Sequence, residues 1–252
     1  MTQKKDFFDK LGDFFREVDF FNKTSFKVNK AGYPFIGIFI FVTLVLFSFS
    51  EFLGWIGFIL SLWCVYFFRD PQRVTPVDKN VFISPADGKI LKILETDAPD
   101  ILSDDKKQKF TKVSIFMNVF NVHVNRIPMS GKIVWLKYVP GTFFNASLDK
   151  ASENNERMII KIEVSKNNFI YVVQIAGLIA RRIKCDLDEN QNVNVGERFG
   201  IIRFGSRVDL YLPLNSFIKV LEGQTVIGGE SIIAQMKSTR NSKKKILTMR
   251  KL

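Results

Sequence analysis

Hydrophobic and polar positions divide the chain into stretches of different texture. Over residues 6–22, Phe7, Phe8, Leu11, Phe14, Phe15, Val18 and Phe21 recur at spacings of three and four, with Asp9, Lys10, Asp13, Arg16 and Glu17 between them. That period predicts an amphipathic helix whose aromatic face suits a membrane interface, although a helix docked on the protein's own core carries the same pattern. Residues 31–68 are almost uninterruptedly apolar, and Glu51 is their one charge. As a single helix they would run about 57 Å at roughly 1.5 Å per residue, nearly twice the hydrocarbon thickness. Two spans, 34–50 and 52–68, with Glu51 at the turn, fit a bilayer if short or tilted.

After Asp70-Pro71 the pattern changes to short apolar runs, such as Val81-Phe82-Ile83, Val113-Ser114-Ile115-Phe116, Ile133-Val134-Trp135-Leu136, Met158-Ile159-Ile160-Lys161-Ile162, Ile170-Tyr171-Val172-Val173 and Phe217-Ile218-Lys219-Val220. Gly, Asn, Asp and Pro separate them, which predicts strands and turns. Residues 97–109 are polar and read as an exposed loop. The expected fold class is mainly β (α+β). The expected organisation is an amphipathic segment (1–30), a membrane-anchoring helical hairpin (31–69), a β-rich domain (70–236) and a basic tail (237–252).

Composition sharpens the membrane reading. Lys and Arg outnumber Asp and Glu by 37 to 25, for a net charge of +12, which calls for an anionic partner, nucleic acid or lipid. Many of the 26 phenylalanines fall in the first 70 residues beside the apolar runs, where a nucleic-acid binder has no use for them. Anionic membrane lipid is therefore the expected partner, and nucleic acid is not. Lys23, Lys27 and Lys30 precede the hairpin while Arg69 and Arg73 follow it, so the positive-inside rule puts both ends, and the catalytic domain, on the cytoplasmic face of the cell (inner) membrane. The tail, with Lys237, Arg240, Lys243, Lys244, Lys245, Arg250 and Lys251, reads as disordered or as pressing on anionic lipid. Cys64 and Cys185 match no metal or redox spacing, and no metal is expected.

Three side chains are candidates for chemistry. His123 is the single histidine, so any imidazole acid–base step uses it. The alternation Asn121, His123, Asn125 against Val122 and Val124 predicts three polar side chains on one face of an extended segment. Asp87, in Ser84-Pro85-Ala86-Asp87-Gly88, is a candidate to orient His123, although Asp-Gly is also the ordinary tip of a tight hairpin. Ser206 follows Gly205 inside an apolar run, where glycine opens the backbone to close approach and where a bulge with a solvated serine is the plain alternative. Asp87, His123 and Ser206 would also serve a membrane-anchored serine hydrolase, but the Gly-x-Ser-x-Gly elbow is lacking. Residues 224–237 look like half of a biotinyl or lipoyl carrier, without a second half around Lys237.

Six motifs in order carry a resemblance. Ser84-Pro85-Ala86-Asp87-Gly88, Val122-His123-Val124-Asn125-Arg126-Ile127-Pro128, Tyr138-Val139-Pro140-Gly141-Thr142-Phe143-Phe144-Asn145-Ala146, Asn154-Asn155-Glu156-Arg157, Gln174-Ile175-Ala176-Gly177 and Phe204-Gly205-Ser206-Arg207-Val208-Asp209 together resemble the short branch of the pyruvoyl-dependent phosphatidylserine decarboxylases. The resemblance spans about two-thirds of the chain, residues 71–234. It implies a zymogen that cuts itself between Gly205 and Ser206, turning Ser206 into a pyruvoyl cofactor with His123 as base and Asp87 as its partner. It further implies chains of 205 and 47 residues associated as a heterodimer, with a higher homo-oligomer left open. The implied reaction is decarboxylation of phosphatidylserine to phosphatidylethanolamine in phospholipid biosynthesis. One position departs from the longer branch, which has a second histidine where this chain has Arg126. Whether His123 serves both reactions, or Arg126 or a water takes one role, stays open. Arg126 is alternatively a holder of the substrate's carboxylate or phosphate, with Asn121 and Asn125 beside it as candidate substrate contacts.

Overall fold

A computed structural model describes residues 27–99, 108–147, 154–178, 182–203, 206–236 and 248–251. The amphipathic segment expected over 6–22, Gly205, most of the polar loop at 97–109 and most of the basic tail lie outside the described residues. The chain divides into two units, Met1–Gln72 and Arg73–Leu252.

In the first unit two helices, α1 (Tyr33–Phe49) and α2 (Glu51–Phe67), form an antiparallel hairpin. Pro34 sits in the first turn of α1, where its missing N–H costs no hydrogen bond. The break falls one residue earlier than Glu51, because Ser50 takes an extended conformation and ends α1. Glu51 then opens α2, where a carboxylate faces the positive end of the helix dipole. The helices meet along small residues. Gly54 and Gly57 are buried, a Cβ on Gly57 would lie 2.9 Å from Thr43 Oγ1, and Thr43 and Ser61 hydroxyls hydrogen-bond at 2.9 Å. Small residues at such a seam let helices approach closely where apolar surroundings supply no drive to associate. The outer surface is apolar and open, with Phe41, Leu44, Phe49, Phe52 and Ile59 all exposed. The base is closed by a bridge between Val28 and Arg69. Residues Lys30–Phe49 are long and apolar enough to cross a membrane.

The second unit contains sixteen strands among the described residues. In chain order they are β1 (Val74–Val77), β2 (Val81–Ile83), β3 (Gly88–Asp97), β4 (Lys109–Met117), β5 (Val124–Arg126), β6 (Gly131–Val139), β7 (Arg157–Ser165), β8 (Asn168–Ala176), β9 (Arg182–Cys185), β10 (Asn192–Val193), β11 (Arg198–Arg203), β12 (Ser206–Pro213), β13 (Ser216–Ile218), β14 (Thr225–Val226), β15 (Ile232–Met236) and β16 (Thr248–Lys251). An eight-stranded antiparallel sheet runs β10-β6-β7-β8-β12-β4-β3-β14, so β12 is hydrogen-bonded on both sides. Two three-stranded sheets, β5-β11-β9 and β13-β15-β2, and the pair β1-β16 complete the unit. The end of the basic tail is therefore a strand rather than a loose end.

Alternation along β12 sorts its side chains between two cores. Val208, Leu210 and Leu212 join the main core with Ile115, Met117, Val172 and Ala176, while Tyr211 joins Phe110, Tyr171 and Val173 on the other face. Ser206 shares the parity of the first set, and Arg207 and Asp209 that of the second. Both Arg207 and Asp209 are buried, and they form a forked ion pair in which Nε reaches Oδ1 at 2.6 Å and Nη2 reaches Oδ2 at 3.0 Å. Nη2 also donates to Ser114 Oγ across the ladder at 2.7 Å. The expected β-rich class is the observed one.

Candidate active site

Ser206 is the first residue of β12 and lies in register between Met117 of β4 and Ala176 of β8. It is fully buried rather than solvated in a bulge. Its hydroxyl meets the Met117 sulfur at 4.0 Å. A thioether is a weak acceptor, so the buried hydroxyl is dry and loosely held.

His123 precedes β5 and is also fully buried. Its carbonyl accepts from the Ile202 N–H at 3.4 Å, and β5 pairs with β11 from Val124–Ile201 onward. The histidine thus lies beside the C-terminal end of β11, which closes at Arg203. The ring Nδ1 is 3.0 Å from the Asn121 carbonyl. That carbonyl can only accept, which makes Nδ1 the protonated nitrogen of the neutral ring and Nε2 the basic one.

Asp87 occupies a crossing between sheets, because β2 pairs with β15 and β3 with β4 and β14. The hairpin that Asp87-Gly88 suggested does not form. Both carboxylate oxygens of Asp87 take hydrogen bonds from Arg73 Nη2, at 3.1 and 2.8 Å, and Oδ1 accepts the Gly228 N–H at 2.7 Å. The Arg126 N–H donates to the Pro85 carbonyl at 2.8 Å, which sets the turn holding Asp87 against the strand that follows His123. Gly88 is needed here, since a Cβ would collide with the Phe116 carbonyl.

The polar row of the sequence splits. Asn125 is buried and contacts both Met117 and Gln174, whereas Asn121 turns its side chain back to accept the Asn118 N–H at 2.9 Å. Val122 and Val124 are buried as well, so the segment has no open face. Arg126 is buried, and its Nη1 donates to the Gly196 carbonyl at 3.0 Å. Three neighbours were given no part in the site from the sequence: Met117, Arg73, which entered only as a flanking charge, and Gln174, which entered only as the first residue of a motif. Gln174 had a signal, a lone amide in the apolar run of β8.

With this geometry in place, comparison with known proteins decides the lineage. A sequence model described as phosphatidylserine decarboxylase matches residues 60–234. The chain belongs to the phosphatidylserine decarboxylase family. It is 56% identical over 207 residues to proteins named phosphatidylserine decarboxylase proenzyme from Rickettsia typhi and Rickettsia prowazekii, covering 82% of this chain and 89% of each relative. The proenzyme of Rickettsia bellii is similar to the same extent. Family membership extends over α2's C-terminal half and the β unit as far as β15, and so includes Asp87, His123 and Ser206. Ser206 lies in register between Met117 and Ala176, and a buried amide, Asn125, reaches the same Met117 sulfur and is held in turn by Gln174, polar groups that would fit a small carbonyl made at position 206.

Proposed function

We propose that this chain is made as a proenzyme, cuts itself at Gly205-Ser206, and then decarboxylates phosphatidylserine to phosphatidylethanolamine. The observation that carries the reading is a fully buried serine at the head of a strand paired on both sides, inside the family's matched segment. Cutting begins when His123 Nε2 takes the Ser206 hydroxyl proton and Oγ adds to the Gly205 carbonyl carbon. The Gly205–Ser206 C–N bond breaks, the proton passes to the Ser206 nitrogen, and an ester remains. Loss of the Ser206 α-proton then expels Gly205 as a carboxylate and leaves a dehydroalanine, which hydrolyses with release of ammonia to the pyruvoyl terminus. When formed, that group supplies an electrophilic carbonyl for the substrate amine and a sink for the electrons left by carbon dioxide.

The chain's own residues supply the rest. Asn121 acts through its carbonyl, holding the ring so that Nε2 is basic. Asp87, anchored by Arg73 and Gly228, is assigned the positioning of His123, and Arg126 the headgroup's carboxylate or phosphate. The hairpin holds the site at the bilayer, with Lys27, Lys30, Arg69 and Arg73 keeping both its ends on the cytoplasmic side. The chains of 205 and 47 residues stay together, because β12, β14, β15 and β16 of the smaller each pair with a strand of the larger.

Mass spectrometry of active protein tests this directly. Two fragments are expected, the smaller beginning with a blocked pyruvoyl terminus. Ser206→Ala should remain uncut and inactive, and His123→Ala should slow or stop scission. A single intact chain in active preparations would refute the reading and leave the hydrolase.

A further inference from the structure

The amides around Ser206 form a chain with a fixed direction. Met117 Sδ can only accept, and Asn125 Nδ2 donates to it at 3.7 Å. Asn125 therefore turns Oδ1 the other way, where it accepts Gln174 Nε2 at 2.8 Å. Gln174 in turn is left presenting its carbonyl oxygen, Oε1, which is buried and has no hydrogen-bond partner among the described residues. Gln174 is fully buried, and it faces Val208 on β12, two residues beyond Ser206 and of the same parity. A Cβ at position 200 would collide with the Lys184 carbonyl and also press to 3.3 Å on Gln174 Nε2.

An unpaired buried carbonyl is costly to a fold, so its persistence on the face of the sheet that carries Ser206 points to a donor that arrives from outside. On the decarboxylase reading, on which this inference rests, the headgroup offers a carboxylate and a phosphate, which accept, and one amine, which donates. We propose that Gln174 Oε1 receives an N–H of the substrate's amine and holds it against the carbonyl formed at residue 206. A neutral acceptor suits this place. It orients the nitrogen without stabilising the ammonium form as a carboxylate does, and it does not repel the headgroup's own carboxylate.

The test uses cut, full-length enzyme in mixed micelles, with phosphatidylethanolamine as the amine probe and cyanoborohydride to trap it on the small chain. Borohydride alone, which adds two hydrogens to a pyruvoyl terminus, reports the carbonyl independently of amine recognition. Gln174→Met should be cut and reducible like the parent but trap the lipid about tenfold more slowly, the loss of one hydrogen bond to a buried acceptor. Gln174→Glu, which loses the N–H given to Asn125 and favours the unreactive ammonium, should trap more slowly than the parent as well, and parental trapping by it overturns the preference for a neutral acceptor. Trapping by Gln174→Met within twofold of the parent overturns the proposal, and so does a folded Gln174→Met that stays uncut, which would place the amide in scission instead. A second measurement needs no variant. Parent enzyme first reduced with borohydride should bind the ethanolamine lipid about tenfold more tightly than its trimethylated counterpart, which has no N–H, and equal binding overturns the proposal. A parent enzyme with no reducible terminus refutes the decarboxylase reading itself.

Discussion

Replacing Arg207 by methionine tests how the strand behind Ser206 is held. The substitution keeps side-chain length but strips the Asp209 carboxylate of the forked bonds at 2.6 and 3.0 Å and removes the donor to Ser114. Asp209 is fully buried and Arg207 is only 2% exposed, so water cannot replace what is lost. Breaking one side of such a pair costs about 3–5 kcal/mol, whereas replacing both sides by apolar groups is often neutral. At roughly 2–4 °C per kcal/mol for a unit of this size, Arg207→Met should lower the melting midpoint by about 6–20 °C. The double change Arg207→Met with Asp209→Leu should recover most of it. Both belong in a Ser206→Ala background, so that every protein compared is uncut, with unfolding followed by circular dichroism in detergent. If the single variant melts within about 2 °C of its parent, or if single and double variants melt together, the pair does not stabilise the strand and the reasoning fails.

Arg73→Leu should release Asp87 from its forked contact and slow scission about tenfold, read as the fraction of cut chain against time; an unchanged rate would detach Asp87 from that step. In the hairpin, cysteines at positions 43 and 61 should oxidise to a disulfide, because the native hydroxyls are 2.9 Å apart. Adding Gly57→Leu should abolish the cross-link by wedging the helices apart, and a persistent cross-link would refute the small-residue seam. Burial, with the charges of Asp186 and Asp188 adding to it, raises the Cys185 thiol above its ordinary value, against an opposing hydrogen bond from the Leu187 backbone. The folded chain then holds that proton after the unfolded chain has lost it. Stability should accordingly fall as pH rises past the ordinary thiol range, and a Cys185→Ser variant should lose that part of the slope in urea titrations at several pH values.

Local pattern carried much of this architecture. The helix break was legible because a lone charge interrupts an apolar run, and the runs at 113–116, 133–136, 158–162 and 170–173 all lie within observed strands. Ser206, His123 and Asp87 stood out in the sequence because their neighbours repeat a family's motifs in order. Pairing over distance was not. Nothing near Ser206 says that β12 will lie between β8 and β4, and Gln174 meets Asn125 across 49 positions. Asp-Gly pointed to a hairpin because that dipeptide satisfies a tight turn, but the flanking strands found other partners. The Asn121 side chain was misplaced for a related reason. Alternation assigns a face only while the backbone stays extended, and here the strand begins at Val124.

The central position of β12 sets the terms on which such an enzyme is renewed. A strand with ladders on both sides does not leave without unravelling the sheet, so a 47-residue piece cut as proposed would have no free existence and no pool to exchange with. Each molecule would be charged once, from its own peptide bond. A carbonyl lost to reduction or to a stray amine would then retire the whole protein, and activity would return only by fresh synthesis.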